Sequence, residues 1–174
     1  MKRITYMIAL AVLMAVSTHA SAQVGIPGTD VTFRLNSEDW RYLRTFKLED
    51  GADIYLYCYV ARELVDNEGD TVLPFLRIYV NDDYDGDVYE LAYERYMKQP
   101  FQSVDEYTKG PGLPRKGGIG YMGAYTNPAD QKDYQFLMTY FKDKNTIVEF
   151  RLETTKDTFE EMEFEFNDIL GTLK

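Results

Sequence analysis

Near the end of the chain the hydrophobic period switches once, and that switch restricts the fold to one in which a sheet is closed by a helix. Residues 134–142 and 146–153 alternate on either side of Asp143, Lys144 and Asn145, the pattern of a β-hairpin. Val148, Phe150 and Leu152 share one face, expected to be the core; Glu149, Arg151 and Glu153 share the other, expected to face solvent. Beyond Asp157 the period lengthens. Phe159, Met162, Phe166, Ile169 and Leu173 recur at alternating spacings of three and four, which is one face of a helix. The stripe covers too few heptads for a coiled-coil seam, so it is assigned to packing on the sheet. Asp157 followed by Glu160 is a capping-box pattern at the helix start.

The middle of the chain contains a second such unit, residues 75–99, FLRIYVNDDYDGDVYELAYERYMKQ. Leu76, Ile78 and Val80 define the buried face of a strand, with Pro74 at its start, where a missing N–H does least harm. An acidic loop follows. Asp87 and Glu90 again form a capping box, and Tyr89, Ala92, Tyr93, Tyr96 and Met97 fall on one helix face, expected to be the buried one. Pro100 ends the helix, because proline disfavours helical geometry in the residue before it.

Around these units lie further alternating segments. Residues 31–35 read as a strand with Val31, Phe33 and Leu35 inward, followed by a turn that delivers Trp40 as a core plug. Residues 41–48 and 53–60 flank a turn at Glu49, Asp50 and Gly51. The second of these puts Ile54, Leu56, Cys58 and Val60 on one face and Tyr55, Tyr57 and Tyr59 on the other, as in an interior strand covered on both sides. Residues 66–70 are a polar turn, 102–108 a strand, 119–126 a glycine-broken strand and 127–130 a turn. Residues 109–118, KGPGLPRKGG, form the clearest loop.

The N-terminus reads as a secretory signal peptide over residues 1–22: Lys2 and Arg3, an apolar run over 4–16, then Ala20, Ser21 and Ala22 as the cleavage site. The apolar run is too short to span a bilayer. Residues 23–30 are expected to be a flexible leader and 31–174 a single domain. Cleavage would remove the one histidine, His19, and leave 17 basic against 29 acidic residues, a net charge of −12. So acidic a chain argues against nucleic acid and anionic membrane surfaces as partners. With Cys58 as the single cysteine there is no internal disulfide, and zinc sites of the His or Cys type are excluded. The location implied is the periplasm or the medium.

The fold class is therefore α+β, a mostly antiparallel sheet of about six strands covered by two main helices. In order and pattern the chain resembles the PsbP-like family, which comprises the photosystem II extrinsic protein PsbP and related bacterial exported domains. The likeness is carried by residues 33–40, by LRIYVNDDYDGDVYELAYERYMK, by GGIGYMGAYT and by VEFRLETTKDTFEEMEFEFNDILGTL. It implies a binding or assembly accessory and not an enzyme.

Three chemistries are compatible with the residues. The first is capture of another exported or envelope protein through the 109–118 loop, with Lys109, Leu113, Arg115 and Lys116, and the adjoining sheet edge, or through an aromatic patch. The second is an ion- or small-ligand-binding module using the acidic loop 81–87 or the tyrosine face of residues 55–59. Asn81, Asp83 and Asp85, with Asp87, would supply calcium oxygens, but the loop lacks a closing glutamate, since position twelve is Ala92. No other cofactor is indicated. The third is a carboxylate-based hydrolase. Gly118, Gly120 and Gly123 spell G-x-G-x-x-G, yet a strand follows where a dinucleotide fingerprint needs a helix.

Overall fold

A computed structural model describes residues 21–48, 54–82, 84–98, 101–106 and 118–174. Its first strands are β1 (Ser21–Gly25), β2 (Thr32–Asn36), β3 (Arg41–Leu48) and β4 (Ile54–Val60). The short β5 (Leu64–Val65) and β6 (Thr71–Val72) precede β7 (Phe75–Asn81) and helix α1 (Val88–Lys98). Strands β8 (Phe101–Glu106), β9 (Ile119–Thr126), β10 (Asp133–Asp143) and β11 (Thr146–Thr155) lead into the closing helix α2 (Phe159–Gly171).

Seven strands form one antiparallel sheet in the order β3-β4-β7-β11-β10-β9-β8, and two small two-stranded ladders, β1-β2 and β5-β6, flank it. Of the helices among the described residues, none is long and apolar enough to cross a membrane. The sheet separates two cores. On one face α2 packs Phe159, Met162, Phe166 and Ile169 against Leu76, Ile78, Val80, Val148, Phe150 and Leu152, with β2 contributing Phe33 and Leu35. This is the stripe read from the sequence, and period-two alternation on the strands explains why the same residues line up across the ladders. Trp40 completes this core and donates its indole N–H to Glu165 on α2.

Three expectations are corrected. Residues 23–30 are not a loose leader: β1 pairs with β2, and Ile26 is buried in the first core. The β1 ladder begins at Ser21, so cleavage after Ala22 would still leave the Gln23–Arg34, Val24–Phe33 and Gly25–Thr32 pairs. The tyrosines of β4 are partly buried against the α2 core, as expected of a strand covered on both sides, with Phe33 and Tyr59 edge to face at 6.1 Å. Asp157 does not cap α2. The N-cap is Thr158, and the Asp157 carboxylate accepts the backbone N–H of Asn67 at 2.6 Å, anchoring the β5–β6 turn. Third, Glu149, Arg151 and Glu153 face the protein interior, as described next. Residues 1–20 of the expected 1–22 signal peptide and the expected turn at 49–51 lie outside the described residues.

At the far end of the chain, Thr32 and Lys174 exchange both backbone hydrogen bonds, at 2.9 and 3.2 Å, so the C-terminal residue extends the small β1-β2 ladder.

Candidate functional site

The second face of the sheet carries the unusual chemistry. Alternation puts Glu149, Arg151 and Glu153 of β11 beside Arg77 and Tyr79 of β7 and Phe136, Met138 and Tyr140 of β10. α1 crosses this face at Glu149 and rings cover Arg151, and all three charged residues of β11 are buried, at 0, 3 and 0% exposure. Burial on this scale requires pairing. Arg151 bonds Glu149, Arg77 pairs with Glu153, and Arg95 of α1 approaches Glu149 at 4.0 Å while donating to Asn81 at 3.0 Å. Asn81 in turn donates to the Ile147 carbonyl at 3.0 Å. The Arg151 guanidinium is also sandwiched by rings, with Phe101, Tyr79 and Phe136 centroids at 5.4, 5.7 and 5.9 Å. Burial, reinforced by the Glu149 charge, keeps the Tyr140 phenol protonated far above its ordinary range. The network is built to hold charge in place and clamps α1 to the sheet through Arg95.

This clamp decides which face of α1 is buried. Val88, Leu91 and Ala92 pack on the sheet in line with Arg95, one helix face at spacings of three and four. The tyrosine stripe expected to be buried is outward instead: Tyr89, Tyr93, Tyr96 and Met97 are 62, 65, 46 and 64% exposed. The physical reason is the partner surface. A sheet face bearing Glu149 and Asn81 needs Arg95 turned toward it, and aliphatic residues allow a closer approach than three tyrosines would. The capping box does form: Glu90 N–H donates to Asp87 at 2.8 Å and Asp87 N–H to Glu90 at 3.0 Å.

Between the outward face of α1 and the sheet lies a cavity of about 410 Å³ lined by Tyr89, Ala92, Tyr93, Tyr96, Tyr121 and Met138. No charged side chain lines it. Its volume is in the range of small-molecule or side-chain pockets. Sequence reading missed this site, although the four tyrosines were visible, because a helical aromatic stripe is ordinarily core.

The calcium candidates are dispersed in their roles. The Asn81 side-chain oxygen accepts from Arg95, and Asp87 caps α1. Asp85 is exposed, and Asp83 lies outside the described residues. The carboxylates that do converge among the described residues are Asp66, Glu68 and Asp70, and the cation at their centre is Lys132. Lys132 lies 2.6 Å from Asp70 and 3.6 Å from Glu68 and is bonded to Asp66 as well. The candidates Lys109, Leu113, Arg115 and Lys116 lie outside the described residues, in sequence between β8, the sheet's edge strand, and β9. Cys58 stands between Arg44 and Arg77 on neighbouring strands, and burial pushes its thiol up despite them.

No protein-family profile and no curated protein sequence matches this chain. Solved structures do. Cyanobacterial PsbP (CyanoP) from Synechocystis sp. PCC 6803 matches with a TM-score of 0.50 at 12% identity, covering 92% of this chain and 95% of that one. LpqN, involved in cell envelope biogenesis of Mycobacterium tuberculosis, matches with a TM-score of 0.49 at 14% identity over 89% and 90% of the two chains. The fold is PsbP-like, an α+β domain whose large antiparallel sheet carries helices on both faces.

Proposed function

We propose that this chain is an exported, non-catalytic accessory domain that binds another exported or envelope protein on the outward face of α1. The observation that carries the reading is the stripe of Tyr89, Tyr93, Tyr96 and Met97, each about half exposed or more, beside a cavity of about 410 Å³. Large aromatic side chains held outward on a rigid, clamped helix are the usual anchors of protein interfaces. The resemblance of the sequence to PsbP-like accessories supports the same class. The carboxylates most removed from solvent, Glu149 and Glu153, are engaged by arginines, which favours a structural use over hydrolysis. The basic loop with Lys109, Arg115 and Lys116 is the competing contact surface.

The test is affinity capture from an envelope extract with the chain from residue 23 onward, run with and without a calcium chelator. One bait carries Tyr93→Ala with Tyr96→Ala, another carries Lys109→Ala, Arg115→Ala and Lys116→Ala. A discrete protein lost only with the tyrosine bait is the expected result. Loss only with the loop bait moves the interface to the loop, and loss only with chelator supports the ion-binding alternative. Export is checked by fractionation and N-terminal sequencing, with a mature start at Gln23 expected.

A further inference from the structure

We infer that the cavity beside α1 receives a cationic side chain, arginine or lysine, presented by a basic segment of the partner protein. The inference rests on the proposed interface and specifies its chemistry. Three observations converge on it.

The cavity wall is rich in tyrosine rings and has no charge of its own. Ring faces attract cations electrostatically, by roughly 0.5–2 kcal/mol each, depending on solvent exclusion. Next, carboxylates neighbour the tyrosines along the helix. Glu90 and Glu94 are interleaved with Tyr89 and Tyr93 on α1, Asp85 and Asp87 precede them, and Tyr84 is kept protonated by burial and by Glu94 and Glu90. Of the nearby basic groups, Arg95 is committed to Asn81 and Glu149 and Lys142 lies 3.5 Å from the Gly86 carbonyl, leaving Lys98, exposed in the last turn of α1, as the opposing charge. A cation entering the cavity is therefore drawn by the rings and by the chain's net negative charge, which repels an anion.

The protein's own aromatic chemistry is the third observation. Among the described residues, Arg44, Lys47, Arg77, Arg95 and Arg151 all stack over rings, at 4.2 to 5.9 Å from the centroids. Tyr89, Tyr93 and Tyr96 make no such contact among the described residues. Tyr89 and Tyr93 are exposed beside the cavity and available to a partner's cation, while Tyr96 lies against Phe101 at 6.3 Å.

The probe is a capped glycine–serine peptide with three arginines, compared with the same peptide carrying citrulline or glutamate at those positions. Binding to the chain from residue 23 onward is measured by calorimetry at 0.15 M salt, with tyrosine ring NMR shifts locating the site. The arginine peptide should bind about tenfold more tightly than its citrulline isostere. Tyr93→Leu, which keeps apolar bulk and removes the ring, should weaken it about fivefold, while Tyr93→Phe stays within about twofold. Glu94→Gln should weaken it, and Asp168→Asn, on α2 across the sheet, should not. Equal binding of the citrulline peptide, or equal losses from Glu94→Gln and Asp168→Asn with none from Tyr93→Leu, overturns the inference in favour of diffuse attraction to an acidic surface. If captured partner depends on Tyr93 while arginine and citrulline peptides are equivalent, the interface stands and its cationic character falls.

Discussion

Arg77 and Arg151 stand directly opposite each other across the β7–β11 ladder. Like charges in that position repel, and here the repulsion is offset along a single strand: Glu153 takes Arg77 and Glu149 takes Arg151, each two residues from Arg151 on β11. The sequence E-x-R-x-E thus carries one surplus negative charge, which the Arg77 cation on the neighbouring strand neutralises.

Removing one member of that unit exposes the others. Arg151→Met should cost about 3–5 kcal/mol in urea unfolding, because buried Glu149 is left with only the longer Arg95 contact at 4.0 Å. Adding Glu149→Gln should recover a large part of the loss. A loss below about 1 kcal/mol would mean that solvent reaches the network after all.

The cap of α1 separates helix stability from interface chemistry. Asp87→Ala removes the acceptor for the Glu90 N–H and should cost about 1 kcal/mol. Asp157→Ala should lower stability without shortening α2, because its carboxylate anchors Asn67 and not the helix start. Amide exchange localised to residues 67–70 would distinguish this from fraying at residues 159–161.

Trp40 reports on α2. Its indole N–H is tied to Glu165, which also accepts from Arg62 at 2.8 Å. Glu165→Leu should cost about 1–3 kcal/mol by leaving a buried donor unpaired. It should also change the emission of the only tryptophan before any loss of far-ultraviolet signal.

Acid sensitivity follows from two carboxylates. Lys132 holds the Asp66 carboxyl below its usual range, and the Asn67 N–H does the same for Asp157. Both folded values are depressed, so their stabilisation is complete above the unfolded value of about 3.9 and is lost as pH falls through the folded values. Lys132 is shifted upward by the same contacts, so its share persists until pH rises past about 10.4. The melting-temperature difference between wild type and Asp66→Asn should therefore be constant near neutrality and collapse in strong acid. A difference independent of pH would contradict the assignment.

Much of the fold was legible because its strands and the α2 stripe follow simple periods. Val148, Phe150 and Leu152 sit where alternation put them, as do Phe159, Met162 and Phe166. The Asp87–Glu90 cap formed as written. The errors share one cause. Charged residues at alternate strand positions normally mark solvent, and here Glu149, Arg151 and Glu153 neutralise one another with Arg77 and Arg95 under a helix. That pairing depends on strand order, which no local pattern encodes. Because the buried face of α1 carries an arginine, its periodicity looked polar, and the tyrosine stripe took its place in the reading. The site was in view as residues and hidden as a surface.

The exchange of backbone hydrogen bonds between Thr32 and Lys174 brings the beginning and end of the folded chain side by side, since Thr32 also pairs with Gly25. Such a molecule is topologically close to a ring. A short glycine-rich linker from Lys174 to Gln23 would close it, and new termini could then be opened in the β5–β6 turn, where Gly69 adopts a φ of +87° at the tip. A permuted protein of that kind would keep the tyrosine helix and the buried arginines intact while moving any attached tag to the opposite connection.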